Sequence, residues 1–260
     1  MQLERYLDRI GYTGRREPTG DALRDLHRAH LLAVPFENLD IAAKRPIILE
    51  TELLLHKIVD LHRGGFCYEL NGAFSWLLQS FGFEVKMLSA RVARRDGGFS
   101  QEFDHMTLEV RDGNHHVWLA DVGFGDCFLE PLSMTSPSES QQGPWTYRLL
   151  NDGDAICLQR KSADIGWTPQ YQFTRTPHRL EEFAPMCRFH QTSPESSFTQ
   201  RRFCSLATPN GRITLEGMRL ITTQDGQKTE TKLAGDDEYR RYLQAKFGVE
   251  VISNKVLTGT

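Results

Sequence analysis

Arg63-Gly64-Gly65-Phe66-Cys67-Tyr68-Glu69-Leu70-Asn71 is where the chain changes character. Two glycines allow a sharp turn and a close approach to the backbone. The cysteine after them opens a segment in which Leu70, Phe74, Leu77 and Leu78 fall at helical spacing, which predicts a helix from about Cys67 to Phe81, stopped by Gly82. Upstream the period is also helical. Leu3, Tyr6, Leu7 and Ile10 form one stripe, and Leu23, Leu26, His30 and Val34 a second. PFENLD, Pro35 to Asp40, ends that second helix, because proline and the residue before it resist helical geometry. Thr51 is read as the cap of a third helix, TELLLHKIVDLH, which runs to Gly64-Gly65. Downstream the period changes to that of strands in EVKMLSARVAR, HMTLEVR, HHVWLADVGFG, YRLL, AICLQR and YQFTR. Pro137 to Pro144 reads as a surface loop. FCSLATP, GRITLEGMRLITT, a turn at Asp225-Gly226 and a charged helix, DDEYRRYLQAKF, follow. Helices first and strands later predict an α+β fold rather than alternating βαβ units.

Composition narrows the function. The 260 residues are 39% apolar and 25% charged, with a formal net charge of −3. A soluble globular enzyme or binding protein is the expectation, with no basic field to attract nucleic acid. MQLERYLDRIGY lacks a signal peptide's apolar run. No segment approaches the ~18 to 20 apolar residues that span a bilayer. The expected location is cytoplasmic, with no membrane partner. Five cysteines, an odd number without a CxxC pair, argue against a disulfide framework and a zinc site. His27 and His30 stand at i, i+3 on a helix, but no third metal ligand lies nearby in sequence.

The chemistry centres on Cys67. A thiol at a helix N-terminus faces the positive end of the macrodipole and unpaired amides, which favour thiolate and could bind an oxyanion. Taken alone, the stretch serves a structural cysteine equally well. His105 supplies the missing partner. In HMTLEV, His105, Thr107 and Glu109 share one strand face and Met106, Leu108 and Val110 the other. If Asp112-Gly113-Asn114 forms the turn, Arg111 opposes His115, paired positions sum to 226, and His105 lies opposite Asp121. A loop one residue shorter separates the two. Asp121, set between Ala120 and Val122, needs a partner if buried. It would orient the imidazole, which would hold Cys67 as thiolate.

These residues resemble the arylamine N-acetyltransferases of bacterial type. The likeness rests on RGGFCYELN, on the histidine of DHMTLEV, on the aspartate of WLADVGFG, on PFENLD and on SPESSFTQRRFCSLATPNGRITL, in the family's order over most of the chain. The resemblance implies three segments: a helical bundle at 1–83, an antiparallel β-barrel at 84–190 and a C-terminal α/β lid segment at 191–260. It implies a cysteine-protease-like triad mapping onto Cys67, His105 and Asp121, with a Glu37–Arg63 ion pair beneath the nucleophile. It places Phe36, Gly123, Phe124, Gly125 and Phe203 at the acyl and acceptor pocket. Acetyl-CoA is the implied co-substrate, without a metal, and arylamines, arylhydroxylamines or hydrazines are the implied acceptors. Two other readings stay open on the residues alone: a papain- or transglutaminase-like enzyme using the same triad, and a module that only binds aromatic amines or CoA.

Overall fold

The computed structural model describes residues 1–250 apart from Pro137 and Ala163. The N-terminal part is helical: α1 (Gln2–Ile10), α2 (Gly20–Ala33), α3 (Leu39–Ala42), α4 (Thr51–Leu55) and α5 (Cys67–Phe81). Thr19 caps α2, its hydroxyl accepting the Ala22 N–H at 3.3 Å. The apolar stripes predicted from the sequence meet in one core with Tyr6, Leu23, Leu26, Phe74 and Leu77 fully buried. Between α2 and α3 runs a two-residue strand, β1 (Phe36–Glu37).

Eight antiparallel strands follow: β2 (Glu84–Val92), β3 (His105–Arg111), β4 (Val117–Ala120), β5 (Leu132–Ser133), β6 (Ser140–Gln142), β7 (Trp145–Asp152), β8 (Ala155–Lys161) and β9 (Thr168–His178). They form one sheet in the order β5-β4-β3-β2-β9-β8-β7-β6, curled into a nearly closed barrel. At the seam, Gln142 accepts the amides of Leu129 and Glu130 and donates to the Glu130 carbonyl. Leu88, Leu119, Phe128, Leu158 and Tyr171 fill the interior.

Strand β3 divides the two cores. Leu108 and Val110 belong to the helical core. His105, Thr107 and Glu109 alternate onto the opposite face, as the sequence predicts. A short 3-10 turn (Leu180–Phe183), α6 (Ala184–Thr192) and α7 (Ser197–Gln200) connect the barrel to β10 (Phe203–Thr208), β11 (Gly211–Glu216), β12 (Arg219–Gln224), β13 (Gln227–Lys232) and α8 (Asp236–Phe247). These four strands form a meander whose inner edge is completed by β1, with Phe36 opposite Ser205 and Glu37 opposite Cys204. The last sheet thus includes a strand from the helical half.

The structure corrects several sequence readings. Glu50, not Thr51, occupies the cap of α4, and after Leu55 the helix widens into a π turn, His56–Asp60. The stretch read as a loop up to Pro144 contains β6, which pairs Gln142 with Trp145 across a Gly143-Pro144 turn. The hairpin register differs as well. The loop between β3 and β4 is five residues, 112–116, not three, and Arg111 pairs with Val117. Asp112 fastens this longer loop, its Oδ1 accepting the amides of Asn114 and His116 and its Oδ2 accepting Trp118 Nε1.

Candidate active site

Cys67 is the first residue of α5. The glycines before it exist because another backbone lies against them. A Cβ on Gly64 would stand 1.9 Å from the Pro35 carbonyl oxygen, and Glu37 N–H donates to the Gly65 carbonyl at 2.8 Å. Strand β1 is thereby laid alongside the nucleophile turn. The Glu69 carboxylate accepts the Phe66 amide at 3.1 Å and closes the first turn.

His105 Nε2 lies 2.7 Å from Asp121 Oδ2, both side chains being almost wholly buried. The predicted contact therefore forms although the predicted register does not. Lengthening the loop from three residues to five moves the pairing by two positions. A shift of two preserves the face on which each side chain points, so Asp121 stays on the face of His105 and meets it from just beyond the last paired rung, Leu108–Ala120.

Three further groups hold Asp121. Asn71, one helical turn after Cys67, donates to Asp121 Oδ1 at 2.9 Å and to the Met106 carbonyl at 2.6 Å, and accepts the Val122 amide at 3.0 Å. The Gly123 amide donates to Asp121 Oδ1 at 2.9 Å. His27, buried on α2, accepts the Asp121 N–H on Nε2 at 3.0 Å and donates from Nδ1 to the Leu129 carbonyl at 2.9 Å. Those bonds fix its tautomer and require a neutral ring, and burial pushes its pKa down to about 4. His27 is thus a brace for the aspartate. Among the described residues no group of histidine, cysteine and carboxylate side chains could hold a metal.

Burial alone would raise the pKa of Asp121. The neighbouring His105, with hydrogen bonds from His105, Asn71 and Gly123, holds it below the usual carboxylate range instead. Cys67 goes the other way. Burial pushes its thiol well up, the Asp104, Cys187 and Asp121 charges add to the push, and the Met106 amide opposes it. A lone thiolate is therefore disfavoured here, against the sequence-based expectation from the helix terminus, and ionisation needs the sulfur's proton to move to a base. The sulfur makes no hydrogen bond to His105 among the described residues. Asn71, by reaching from the helix of Cys67 to the partner of His105, ties the two halves together. Catalytic hydrogen bonds often tighten only in the substrate complex.

Beneath the nucleophile turn lies a buried ionic cluster. Arg63 donates from Nε and Nη2 to Glu37 Oε1 at 2.9 and 2.7 Å and from Nη2 to Asp40 at 3.1 Å. Lys57, on the π turn, bridges Asp40 at 2.6 Å and Glu69 at 2.7 Å. The Glu37–Arg63 pair was expected. Asp40, Lys57 and Glu69 were not singled out in the sequence.

Of the five predicted pocket residues, Phe36 and Phe203 stack with ring centroids 5.4 Å apart, and Gly125 sits against the Phe36 ring, to which a Cβ would come within 3.6 Å. Phe124 packs edge-on to His105 at 5.0 Å. Gly123 is confined: a Cβ there would stand 2.8 Å from Cys67 Cα and 2.7 Å from Asn71 Nδ2. Sequence reasoning missed Phe198, which bridges Phe66 at 5.5 Å and Phe203 at 5.9 Å. It also missed Tyr171, whose ring lies 5.2 Å from His105.

The sequence profile of the N-acetyltransferase family matches residues 19–256. The chain is 32% identical to the arylamine N-acetyltransferase of Mycolicibacterium smegmatis over 96% of this chain and 93% of that protein. The chain belongs to the arylamine N-acetyltransferase family. Its fold superposes on the Salmonella typhimurium arylamine N-acetyltransferase with a TM-score of 0.91 at 29% identity, over 98% of this chain and 93% of the other. It superposes on the Mycobacterium marinum arylamine N-acetyltransferase in complex with CoA with a TM-score of 0.87 at 32% identity, over 95% and 92% of the two chains. The helical half meets the barrel where Asn71, on the helix of Cys67, reaches the His105–Asp121 pair. No helix of the described residues is long and apolar enough to cross a membrane.

Proposed function

We propose that this chain transfers an acetyl group from acetyl-CoA to arylamines, arylhydroxylamines or hydrazines through a thioester on Cys67. His105 takes the Cys67 proton as the sulfur attacks the thioester carbonyl of acetyl-CoA. The carbon–sulfur bond to CoA breaks, CoA leaves with a proton, and an acetyl-enzyme remains. The acceptor nitrogen then attacks this thioester, loses its proton to His105, and departs acetylated while Cys67 is restored. Asp121 keeps the imidazole oriented, and amides of the first turn of α5 receive the developing oxyanion. Phe36, Phe124 and Phe203 offer their rings to an aromatic amine, with Gly125 leaving room against the Phe36 ring and Gly123 letting its loop lie against the Cys67 backbone at the acyl site. The Glu37–Arg63 pair supports the nucleophile turn. The roles divide over a helical bundle at 1–83 that carries the nucleophile, a barrel at 84–190 that carries the base and its orienter, and a lid segment assigned to 191–260, of which 251–260 lie outside the described residues. A free thiol nucleophile suits a cytoplasmic setting, where thiols stay reduced.

The observation that carries this reading is the Asp121–His105 bond, anchored from the nucleophile's own helix by Asn71. It is tested by incubating the protein with acetyl-CoA alone and trapping it in acid. Intact mass is expected to show one acetyl group, mapped to Cys67 and removed by an added arylamine. A wild-type protein that takes up no acetyl group while other thiol reagents modify Cys67 overturns the mechanism.

A further inference from the structure

Asp126 follows the pocket residues Phe124 and Gly125, and two arginines from different sheets converge on it. Arg160, on β8 of the barrel, donates from Nη1 to Asp126 Oδ2 at 3.4 Å and to the Asp126 carbonyl at 3.1 Å. Arg212, on β11 of the C-terminal sheet, donates from Nε to Asp126 Oδ1 at 3.3 Å. The two cations are held firmly and the carboxylate is not. The Arg160 guanidinium lies 4.2 Å over the Trp145 ring, and its side chain is 20% exposed. Arg212 donates from Nη1 to Ser205 Oγ at 3.1 Å, Ser205 Oγ lies 2.7 Å from Thr214 Oγ1, and the Arg212 side chain is 15% exposed. The Asp126 side chain is 61% exposed, and its bonds are longer than the about 2.7 to 2.9 Å of a tight ion pair.

Two guanidiniums thus share one loosely bound carboxylate, and among the described residues no other carboxylate pairs with either. One positive charge is left over. A phosphate, with several oxygens, suits two guanidinium forks at once. An exposed carboxylate adds little binding of its own and gives way to a more highly charged anion. The position suits the donor as well. A Cβ on Gly123 would stand 2.8 Å from Cys67 Cα, so the turn begins against the nucleophile, and from Gly123 to Asp126 it spans at most about 11 Å. Ser205, which anchors Arg212, is the residue opposite Phe36. Acetyl-CoA carries its phosphates on a flexible arm that reaches outward from the thioester. The chain has a net charge of −3, so no general field draws such a polyanion in, and its binding depends on local cations.

We propose that Arg160 and Arg212 bind the phosphates of the CoA donor, displacing Asp126, which holds the two guanidiniums together until the donor arrives. The barrel and the C-terminal sheet each supply one arm of the site, so a bound phosphate joins them beside the pocket. Neither arginine bonds to Cys67, His105 or Asp121, so the site acts on donor binding and not on the chemistry at sulfur. It rests on the acetyl transfer from acetyl-CoA proposed above.

The test compares two donors in wild type, Arg160→Gln, Arg212→Gln and Asp126→Asn. Acetyl-CoA carries the phosphates, and S-acetyl-N-acetylcysteamine offers the same thioester without them. Initial rates of Cys67 acetylation are read by intact mass after acid quenching, over a range of donor concentrations. Each arginine variant is expected to raise the half-saturating concentration of acetyl-CoA about tenfold, as loss of one charge-assisted hydrogen bond does. The rate with the phosphate-free donor is expected to stay within about twofold of wild type. Asp126→Asn is expected to bind acetyl-CoA as tightly as wild type or a few-fold more tightly, since a competing anion is gone. Arginine variants that keep wild-type affinity for acetyl-CoA, or that lose equally with both donors, overturn the site. An Asp126→Asn protein that binds acetyl-CoA much more weakly overturns the displacement. Should an arginine variant fail to fold, the Nε–Hε NMR signals of wild-type Arg160 and Arg212 decide: shifts on adding adenosine 3′,5′-bisphosphate support the site, and unmoved signals refute it. Failure of the thioester mechanism looks different, because wild type then takes no acetyl group from either donor.

Discussion

Two buried charge clusters flank Cys67, and they differ in what their cations can do. Beneath the nucleophile turn, Glu37, Asp40 and Glu69 are answered by Arg63 and Lys57. Guanidinium and ammonium groups keep their protons at any working pH, so that cluster holds shape and moves nothing. On the barrel side, Asp121 is answered by His105 and by the neutral donors Asn71 and the Gly123 amide. An imidazole gives and takes a proton near neutrality. The same device, a carboxylate sunk among apolar residues, is a scaffold in one place and, in the proposed mechanism, the partner of a proton-carrying ring in the other.

The largest expected effect comes from turning the second cluster into a neutral one. In Asp121→Asn, Asn71 and the Gly123 amide both donate toward one oxygen, so the new amide must set its carbonyl there and aim its NH2 group at His105 Nε2. That ring nitrogen then has to accept, and the ring proton moves to Nδ1, the nitrogen that should receive the sulfur's proton. Acetyl transfer is expected to fall by about 10³-fold or more while the protein stays folded. Single-turnover acetylation of Cys67 measures it. A loss below tenfold would erase the contrast between the clusters.

Glu37→Gln tests the other side. It leaves Arg63 buried with one of its two carboxylates gone, which is expected to destabilise the fold by about 3 kcal/mol. The activity per folded molecule is expected to stay within a few-fold of wild type. Urea unfolding and titration of active sites separate the two quantities. A Glu37→Gln protein of wild-type stability but much reduced turnover would make that cluster part of the chemistry.

His27 extends the contrast to pH. Its pKa falls from 6.5 to about 4 on folding, because the ring is buried. Between those values the unfolded chain binds a proton that the native state refuses. Stability therefore declines as pH falls from about 6.5 to about 4, by a total on the order of 3 kcal/mol, and this contribution is flat below that range. His27→Gln is expected to start less stable at pH 7 and to lose much of that slope. Equal slopes in the two proteins would mean that other groups titrate in the window.

What could be read in the sequence was local. Periodicity placed α1, α2, α5 and α8, and strand alternation put His105 and Asp121 on one face of the β3–β4 hairpin. That face survived an error in the loop because parity, not register, decided it. The braces were hidden because they join distant positions: His27 meets Asp121 across 94 residues and Asn71 meets it across 50. Asp40, Lys57 and Glu69 look like solvated charges until the fold closes over them. Helix α6, APMCRFHQT, mixes proline, histidine and polar residues too freely to show an apolar stripe, and β13, QKTETK, has no apolar face at all.

The smallest expected effect lies where neither cluster reaches. Phe203 stacks on Phe36 and touches Phe198, but none of the charged groups around Cys67 bonds to its side chain. Phe203→Leu keeps the bulk and removes the ring face. An aromatic pair is worth about 0.5 to 1.5 kcal/mol beyond its area, so KM for an arylamine is expected to rise roughly two- to tenfold. Formation of the acetyl-enzyme from acetyl-CoA alone should not change, since the sulfur, the imidazole and the carboxylate are untouched. Measuring the two half-reactions separately divides the cases. If acetylation by the donor slows as much as transfer to the acceptor, the ring belongs with the CoA thioester rather than with the amine, and the pocket assigned to Phe36 and Phe203 must be exchanged with the donor's.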